Sequence, residues 1–188
     1  DGQFIYPGTC RNLTEDERRS KMQSHKHSWR IKVPDETITF NDRHYGRQSL
    51  NLAREWGDFI VRRSDGIYAY QLAVVIDDAL MGVTEVIRGR DLLSSSAPQL
   101  YLYRLLGFKP PQFGHLPLLT APDGRRLAKR DMDLDMGALR SRYTPEEVIG
   151  RLAFLAGLID KEEPVKAAEL LSSFDWQKIP KENITVTN

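Results

Sequence analysis

YAYQLAVVIDDALMGVTEVIRGRDL, residues 68–92, is the stretch on which the reading of this chain turns. Leu72, Val75, Ile76, Ala79 and Leu80 recur at helical spacing and form one apolar stripe, interrupted by Asp77 and Asp78. Gly82 supplies a left-handed stop. Val83-Thr84-Glu85-Val86-Ile87 is short and β-branched, which predicts a strand. Arg88 stands where that strand ends, just before Gly89. Open α/β sheets bind ligands beyond the carboxyl ends of their strands. An arginine there can grip a carboxylate or phosphate through two parallel hydrogen bonds. Pairing with Glu85 or Asp91 at the surface is the plainer alternative.

Working outward, Phe59-Ile60-Val61 reads as a strand closed by the turn Arg62–Gly66. On the other side, Ser94-Ser95-Ser96-Ala97-Pro98 opens a helix lined by Leu102, Leu105 and Leu106, which Gly107 and Pro110 end. His115-Leu116-Pro117-Leu118-Leu119 is a further strand, with Pro117 marking an edge or an end. Strands and helices alternating at this spacing predict a parallel α/β sheet, with fewer strands than a complete doubly wound one. Residues 1–56 read as a small loop-rich unit. In it Thr14 and Glu17 form a capping box, Trp29–Val33 and Thr37–Phe40 are strands, and Pro34-Asp35 turns between them. Beyond Asp123-Gly124 hangs a basic loop, Arg125 to Arg130. Thr144-Pro145-Glu146-Glu147 then caps a helix whose stripe is Val148, Leu152, Leu155, Ala156 and Ile159. Pro164 opens another over Val165–Ser172, and Trp176–Asn188 fits no element by pattern.

With 27 basic and 26 acidic side chains in 188 residues, no global field singles out nucleic acid. The basic stretches at Arg18–Lys32 and Arg125–Arg130 read as solvated faces or as RNA contacts. No apolar run approaches the ~20 residues that cross a bilayer, so no membrane partner is expected. A single cysteine, Cys10, excludes an internal disulfide and fits a reducing compartment, with cytoplasm the expectation. A start at Asp1 rather than methionine leads us to expect a processed or shortened polypeptide.

Together, YQLAVVIDDALMGVTEVIRGRDL, LYRLLGF, HLPLL and the lysine-containing loop resemble the second half of the class I glutamyl-tRNA synthetase catalytic domain, from about Gly57 to Arg130. That resemblance implies an α/β, Rossmann-like fold and activation of glutamate with ATP before transfer to RNA. It implies three regions: an insertion-domain remnant over 1–56, of the acceptor-binding, zinc-bearing type; the second Rossmann-like half over 57–121; and a signature loop with a helical stem-contact-like region over 122–188. It places Tyr70 and Arg88 in the glutamate pocket, Tyr70 offering a hydroxyl donor. Asp77 and Asp78 match a family acidic pair that we read as structural, since neighbours on a helix face apart.

The family's K-M-S-K-S loop corresponds to Arg126-Leu127-Ala128-Lys129-Arg130. Lys129 is thereby the catalytic cation on the ATP phosphates, Arg126 replaces the first lysine, and Ala128 lacks the serine hydroxyl. Val74 replaces the asparagine usual four residues after the tyrosine, and no anticodon-binding domain is in view. With the FDWQKIPKENITV segment, these departures resemble the truncated paralogous branch, the glutamyl-queuosine tRNA(Asp) synthetases. The branch implies glutamate, ATP and tRNA(Asp) as partners and queuosine as acceptor; for the oligomeric state, which the sequence does not encode, a monomer is the expectation. Tyr6 and Cys10 match half of the branch's zinc site, whose C-x-C partner would precede Asp1; His25 and His27 are weak additional donors. No H-x-G-H occurs. The chain therefore resembles the C-terminal two-thirds of the enzyme, and alone it is expected not to activate glutamate. The alternatives are a fragment of a discriminating glutamyl-tRNA synthetase, a non-catalytic RNA-binding module, and a metal-dependent hydrolase using Asp77 and Asp78.

Overall fold

A computed structural model describes residues 5–127 and 136–186. They fall into two compact units. The first holds the chain up to Asp42, then Gly46–Val86 and Leu92–Phe113; the second holds Arg43–Tyr45, Ile87–Asp91 and the chain from Gly114 onward.

In the first unit, helix α1 (Glu15–Ser24) starts on the expected capping box. Thr14 Oγ1 accepts from the Glu17 N–H, and the Glu17 carboxylate accepts from the Thr14 N–H at 2.8 Å. The Thr14 N–H foremost, and then the Thr14 hydroxyl donating to the same carboxylate at 2.9 Å, hold the Glu17 carboxyl below the usual range. None of the residues of α1 is buried.

Strand β1 (Trp29–Arg30) and strand β4 (Ile60–Arg62) pair antiparallel. The strand expected over Trp29–Val33 is shortened because a side chain takes over the ladder. Val33 N–H donates to the buried Asp58 carboxylate at 2.9 Å, and Arg11 closes on the same group. Strands β2 (Thr37–Asp42) and β3 (Gly46–Asn51) form an antiparallel hairpin with six paired positions. The sequence reading missed β3, because GRQSLN is polar and lacks apolar alternation. One π-helical turn, Leu52–Trp56, follows and buries Leu52. It ends at Gly57, where φ is +66° and a Cβ would meet Ile5 Cγ2 at 2.7 Å, so only glycine serves.

Helix α2 (Tyr70–Leu80) and helix α3 (Ser96–Leu106) complete the core. Val33, Leu52, Phe59, Val75, Ala97, Tyr101, Leu102 and Tyr103 are buried together. The helices form where expected, and Gly107 ends α3 at φ +71°. The faces differ from expectation. In α3 the tyrosines flanking Leu102 turn inward, while Leu105 and Leu106 are exposed.

Strand β5 (Glu85–Gly89) and strand β6 (Gln112–Leu116) belong with the hairpin to a four-stranded sheet in the order β3-β2-β6-β5. β2 runs parallel to β6, so the sheet is mixed rather than parallel. The difference is the N-terminal hairpin, which adds β3 antiparallel at the edge. β5 and β6 begin in the first unit and finish in the second.

In the second unit, strand β7 (Leu119–Thr120) follows β6 after Pro117. Helices α4 (Met136–Arg142), α5 (Pro145–Leu155) and α6 (Ala167–Leu170) come next, then strand β8 (Ile184–Thr185). β8 lies parallel to β7. The Thr144–Glu147 capping box of α5 forms as predicted. Its buried residues are Gly150 and Ala153 rather than the expected stripe, and Leu152 is exposed. Small residues are needed there because the Glu163 carbonyl packs directly on Gly150. The helix expected over Val165–Ser172 contracts to the four residues of α6, followed by single turns.

Candidate active site

β5 alternates strictly: Glu85 and Ile87 are exposed, Val86 and Arg88 half-buried. Arg88 therefore points to the covered face, against the simplest expectation for a surface charge. Its Nε–H donates to His115 Nε2 at 3.0 Å. His115, on β6, is fully buried at 0 % exposure. Gly89 lets the chain bend into the short turn Arg90–Leu92. A Cβ at Gly89 would meet Asp91 Oδ1 at 2.5 Å and Leu118 Cδ2 at 3.1 Å.

Asp91 does have a cationic partner, and it is Arg126, at 2.6 Å. Arg126 stands in the ascending arm of the basic loop. Its antiparallel bridge to Thr120, with the Ala121 N–H to Arg125 O and Leu127 N–H to Leu119 O bonds, makes the loop base a small hairpin on β7. On its other side β7 is held by β8: Ile184 N–H donates to Leu118 O and Val186 N–H to Thr120 O. Asn183 Oδ1 accepts from the Leu118 N–H. The residues preceding β8 are tied down as well, since Tyr45 Oη and Arg90 Nη1 both donate to Lys181 O. The end of the Arg88 strand and the base of the basic loop are thus brought together. Lys129, the expected catalytic cation, lies outside the described residues, as does Arg130.

Tyr70 is the first residue of α2, capped by Ala69 without a side-chain bond, and about half exposed. Its neighbour Gln71 fixes that end of the helix. Gln99 Nε2 donates to Gln71 Oε1 at 2.7 Å, and Gln71 Nε2 donates to Ser95 Oγ at 3.2 Å. Asp77 is exposed and Asp78 half-buried, so the pair does face apart.

The two zinc-type residues meet. The Cys10 N–H donates to Tyr6 Oη at 2.7 Å, and the Arg30 guanidinium lies 4.2 Å over the Tyr6 ring. Zinc takes four ligands in a tetrahedron. Among the described residues no group of three His, Cys, Asp or Glu side chains could hold a metal. Tyr6 and Cys10 supply half a site and do not by themselves fit the ion. They open instead on a 640 Å³ cleft whose walls include Arg18, Lys21, Lys26, Lys32 and Trp29.

His115 is the functional candidate that sequence reading missed. Its strand was legible in HLPLL, but the pairing of that strand with the one bearing Arg88 was not.

The family described as tRNA synthetases class I (E and Q), catalytic domain, matches residues 3–188. The chain belongs to this family. As a class I synthetase catalytic domain it has an α/β fold, and it is similar to solved glutamate–tRNA ligases. The structure from Elizabethkingia meningosepticum, described as in complex with its amino acid, superposes with a TM-score of 0.78 at 29 % identity, over 98 % of this chain and 42 % of that one. The glutamate–tRNA synthetase of Elizabethkingia anophelis gives 0.79 at 29 %, with the same coverage. Among curated relatives, the glutamyl-Q tRNA(Asp) synthetase of Symbiobacterium thermophilum is 51 % identical over 183 residues, 96 % of this chain and 56 % of the relative. That of Nitratidesulfovibrio vulgaris is 49 % identical over 156 residues, 82 % and 48 %. That of Neisseria meningitidis is 41 % identical over 186 residues, 97 % and 61 %. The synthetase domain thus spans about half the length of the curated relatives it matches. Among its described residues no helix is long and apolar enough to cross a membrane.

Proposed function

We propose that the full-length protein activates glutamate with ATP and transfers it to queuosine in the anticodon loop of tRNA(Asp). The observation that carries this reading is a half-buried arginine, Arg88, at the carboxyl end of a strand, in a chain 51 % identical to a glutamyl-Q tRNA(Asp) synthetase. Val74, where glutamyl-tRNA synthetases generally hold asparagine, supports this branch over the discriminating enzymes.

In this reading Arg88 binds a glutamate carboxylate, and the Tyr70 hydroxyl donates to the same ligand. A glutamate carboxylate oxygen attacks the α-phosphorus of ATP, the bond to the bridging oxygen breaks, and pyrophosphate leaves as glutamyl-adenylate forms. Lys129 and Arg126 balance the charge that develops on the departing phosphates; removing one such group typically lowers the rate about 10²–10³-fold. The queuosine base then displaces AMP. Residues 57–121 act as the second Rossmann-like half, 1–56 as an insertion remnant, and 122–188 as the loop and stem-contact-like region. The enzyme works as a cytoplasmic monomer.

The test uses the full-length protein. Glutamate-dependent ATP–pyrophosphate exchange, followed by transfer of labelled glutamate to queuosine-containing tRNA(Asp), is the expected result. Transfer to the 3′ end of tRNA(Glu) would identify a discriminating synthetase instead. RNA binding without any exchange would leave a binding module, a reading to which the basic cleft lends its support.

A further inference from the structure

We propose that His115 is the positioning residue for Arg88: its buried imidazole accepts the Arg88 Nε–H and so fixes the plane in which the guanidinium meets its carboxylate. The inference rests on the proposed glutamate-binding role of Arg88.

An arginine side chain turns about several single bonds, and a bidentate grip needs its planar fork held in one orientation. Ordering such a chain is entropically unfavourable, and a fixed acceptor at Nε offsets that before the ligand arrives. His115 has the attributes of a fixed acceptor. It is fully buried, on β6, with buried Phe113 and Gly114 just before it. Gly114 allows no slack. A Cβ there would meet Ile87 Cδ1 at 2.8 Å and Trp176 Cη2 at 3.0 Å, so the backbone that carries the imidazole is hemmed in on two sides. Arg88 and His115 sit on neighbouring strands of one sheet, the most rigid kind of support a site can have.

Chemistry fixes the ring's form. A guanidinium only donates, so the 3.0 Å hydrogen bond requires a lone pair on His115 Nε2. The ring proton therefore sits on Nδ1. With Nε engaged, a carboxylate is met end-on by the Nη edge of the fork rather than side-on through Nε. A purely structural histidine would hold the same tautomer, but its replacement would leave the glutamate KM unchanged.

The experiment compares full-length wild-type protein with His115→Leu, His115→Gln and Arg88→Gln in glutamate-dependent pyrophosphate exchange. Leucine keeps the bulk and removes the acceptor; glutamine places an oxygen near the position of Nε2. We expect His115→Leu to raise the glutamate KM about 10- to 100-fold, the range for a hydrogen bond to a charged group, while the ATP KM and kcat change less than about three-fold. His115→Gln restores the glutamate KM to within about three-fold of wild type, as a retained acceptor requires. A second readout is independent of turnover: nitrogen NMR of the His115 ring shows a protonated Nδ1 and a bare Nε2. A proton on Nε2 overturns the inference even if a variant fails to fold. If Arg88→Gln raises the glutamate KM and His115→Leu does not, the positioning role alone is lost. If Arg88→Gln leaves the glutamate KM unchanged, the glutamate-pocket reading falls and this inference with it.

Discussion

Glu36 and Arg104 make the best-formed exposed ion pair of the first unit, with two parallel bonds of 2.6 and 2.7 Å. The Arg104 hydrogen bonds hold the Glu36 carboxyl below the usual carboxylate range, and the arginine is raised in turn. Because the folded value is the depressed one, the pair's stabilising effect is fully present above the unfolded value of about 4.3 and fades as pH falls through the folded one. Glu36→Gln should therefore lower the urea midpoint modestly near pH 7, where the pair is fully formed, and converge on wild type as pH falls towards about 3, which flattens the acid limb. Asp91–Arg126 is a different kind of pair, with the arginine side chain 64 % exposed. Its worth is positional: Asp91→Asn should alter unfolding free energy by less than about 1 kcal/mol. The same change should speed tryptic cleavage after Arg126, and unchanged cleavage would mean that Asp91 does not restrain the loop arm.

At the scale of elements, α5 gives a prediction whose sign runs against helix propensity. Alanine is better than glycine within a helix by roughly 1 kcal/mol. At Gly150, however, the added methyl would land on the Glu163 carbonyl, a backbone atom that cannot swing aside. Gly150→Ala should destabilise by about 1–3 kcal/mol in chemical denaturation, and a gain in stability would show that the Glu163 segment moves freely. At the start of the helix, Thr144→Ala removes one half of the capping box and should cost about 1 kcal/mol. These two positions also mark what a single sequence reveals. The caps at Thr14 and Thr144, the stop at Gly107 and the helix over Tyr70–Leu80 are set by residues within one turn of each other, so they could be read directly. β3 is too polar to show a pattern although its partner β2 is adjacent, and β8 and the inward face of α3 are set by partners distant in sequence. A two-residue strand such as Ile184–Thr185 has no pattern of its own until β7 lies beside it. For the candidate site, Arg88, Tyr70 and Arg126 were expected from the family resemblance, residue by residue. His115 and the Asp91 link needed the pairing of strands.

For the molecule as a whole, a net charge of +1 conceals a strongly uneven distribution. Lys21, Lys26 and Lys32 are all exposed and all line the 640 Å³ cleft, together with Trp29 and Tyr6. Cations interleaved with aromatic rings suit a nucleic-acid strand, whose phosphates and bases they can meet at once. If tRNA crosses this cleft, replacing the three lysines by glutamate should weaken its binding. It should also lower the slope of log affinity against log salt by about 0.7–0.9 for each phosphate that is no longer neutralised. An unchanged slope would place the RNA elsewhere.

The ladder between β7 and β8 also dictates an order of events during synthesis. Thr120 is made 64 residues before the Ile184 whose carbonyl it binds. At ribosomal speeds of about 5–20 residues per second, that separation is a delay of roughly 3–13 s. Throughout it, the strand from which the basic loop springs has an open edge. A nascent chain paused before Ile184 would carry this basic hairpin with only one flank in place, and arrival of β8 supplies the other.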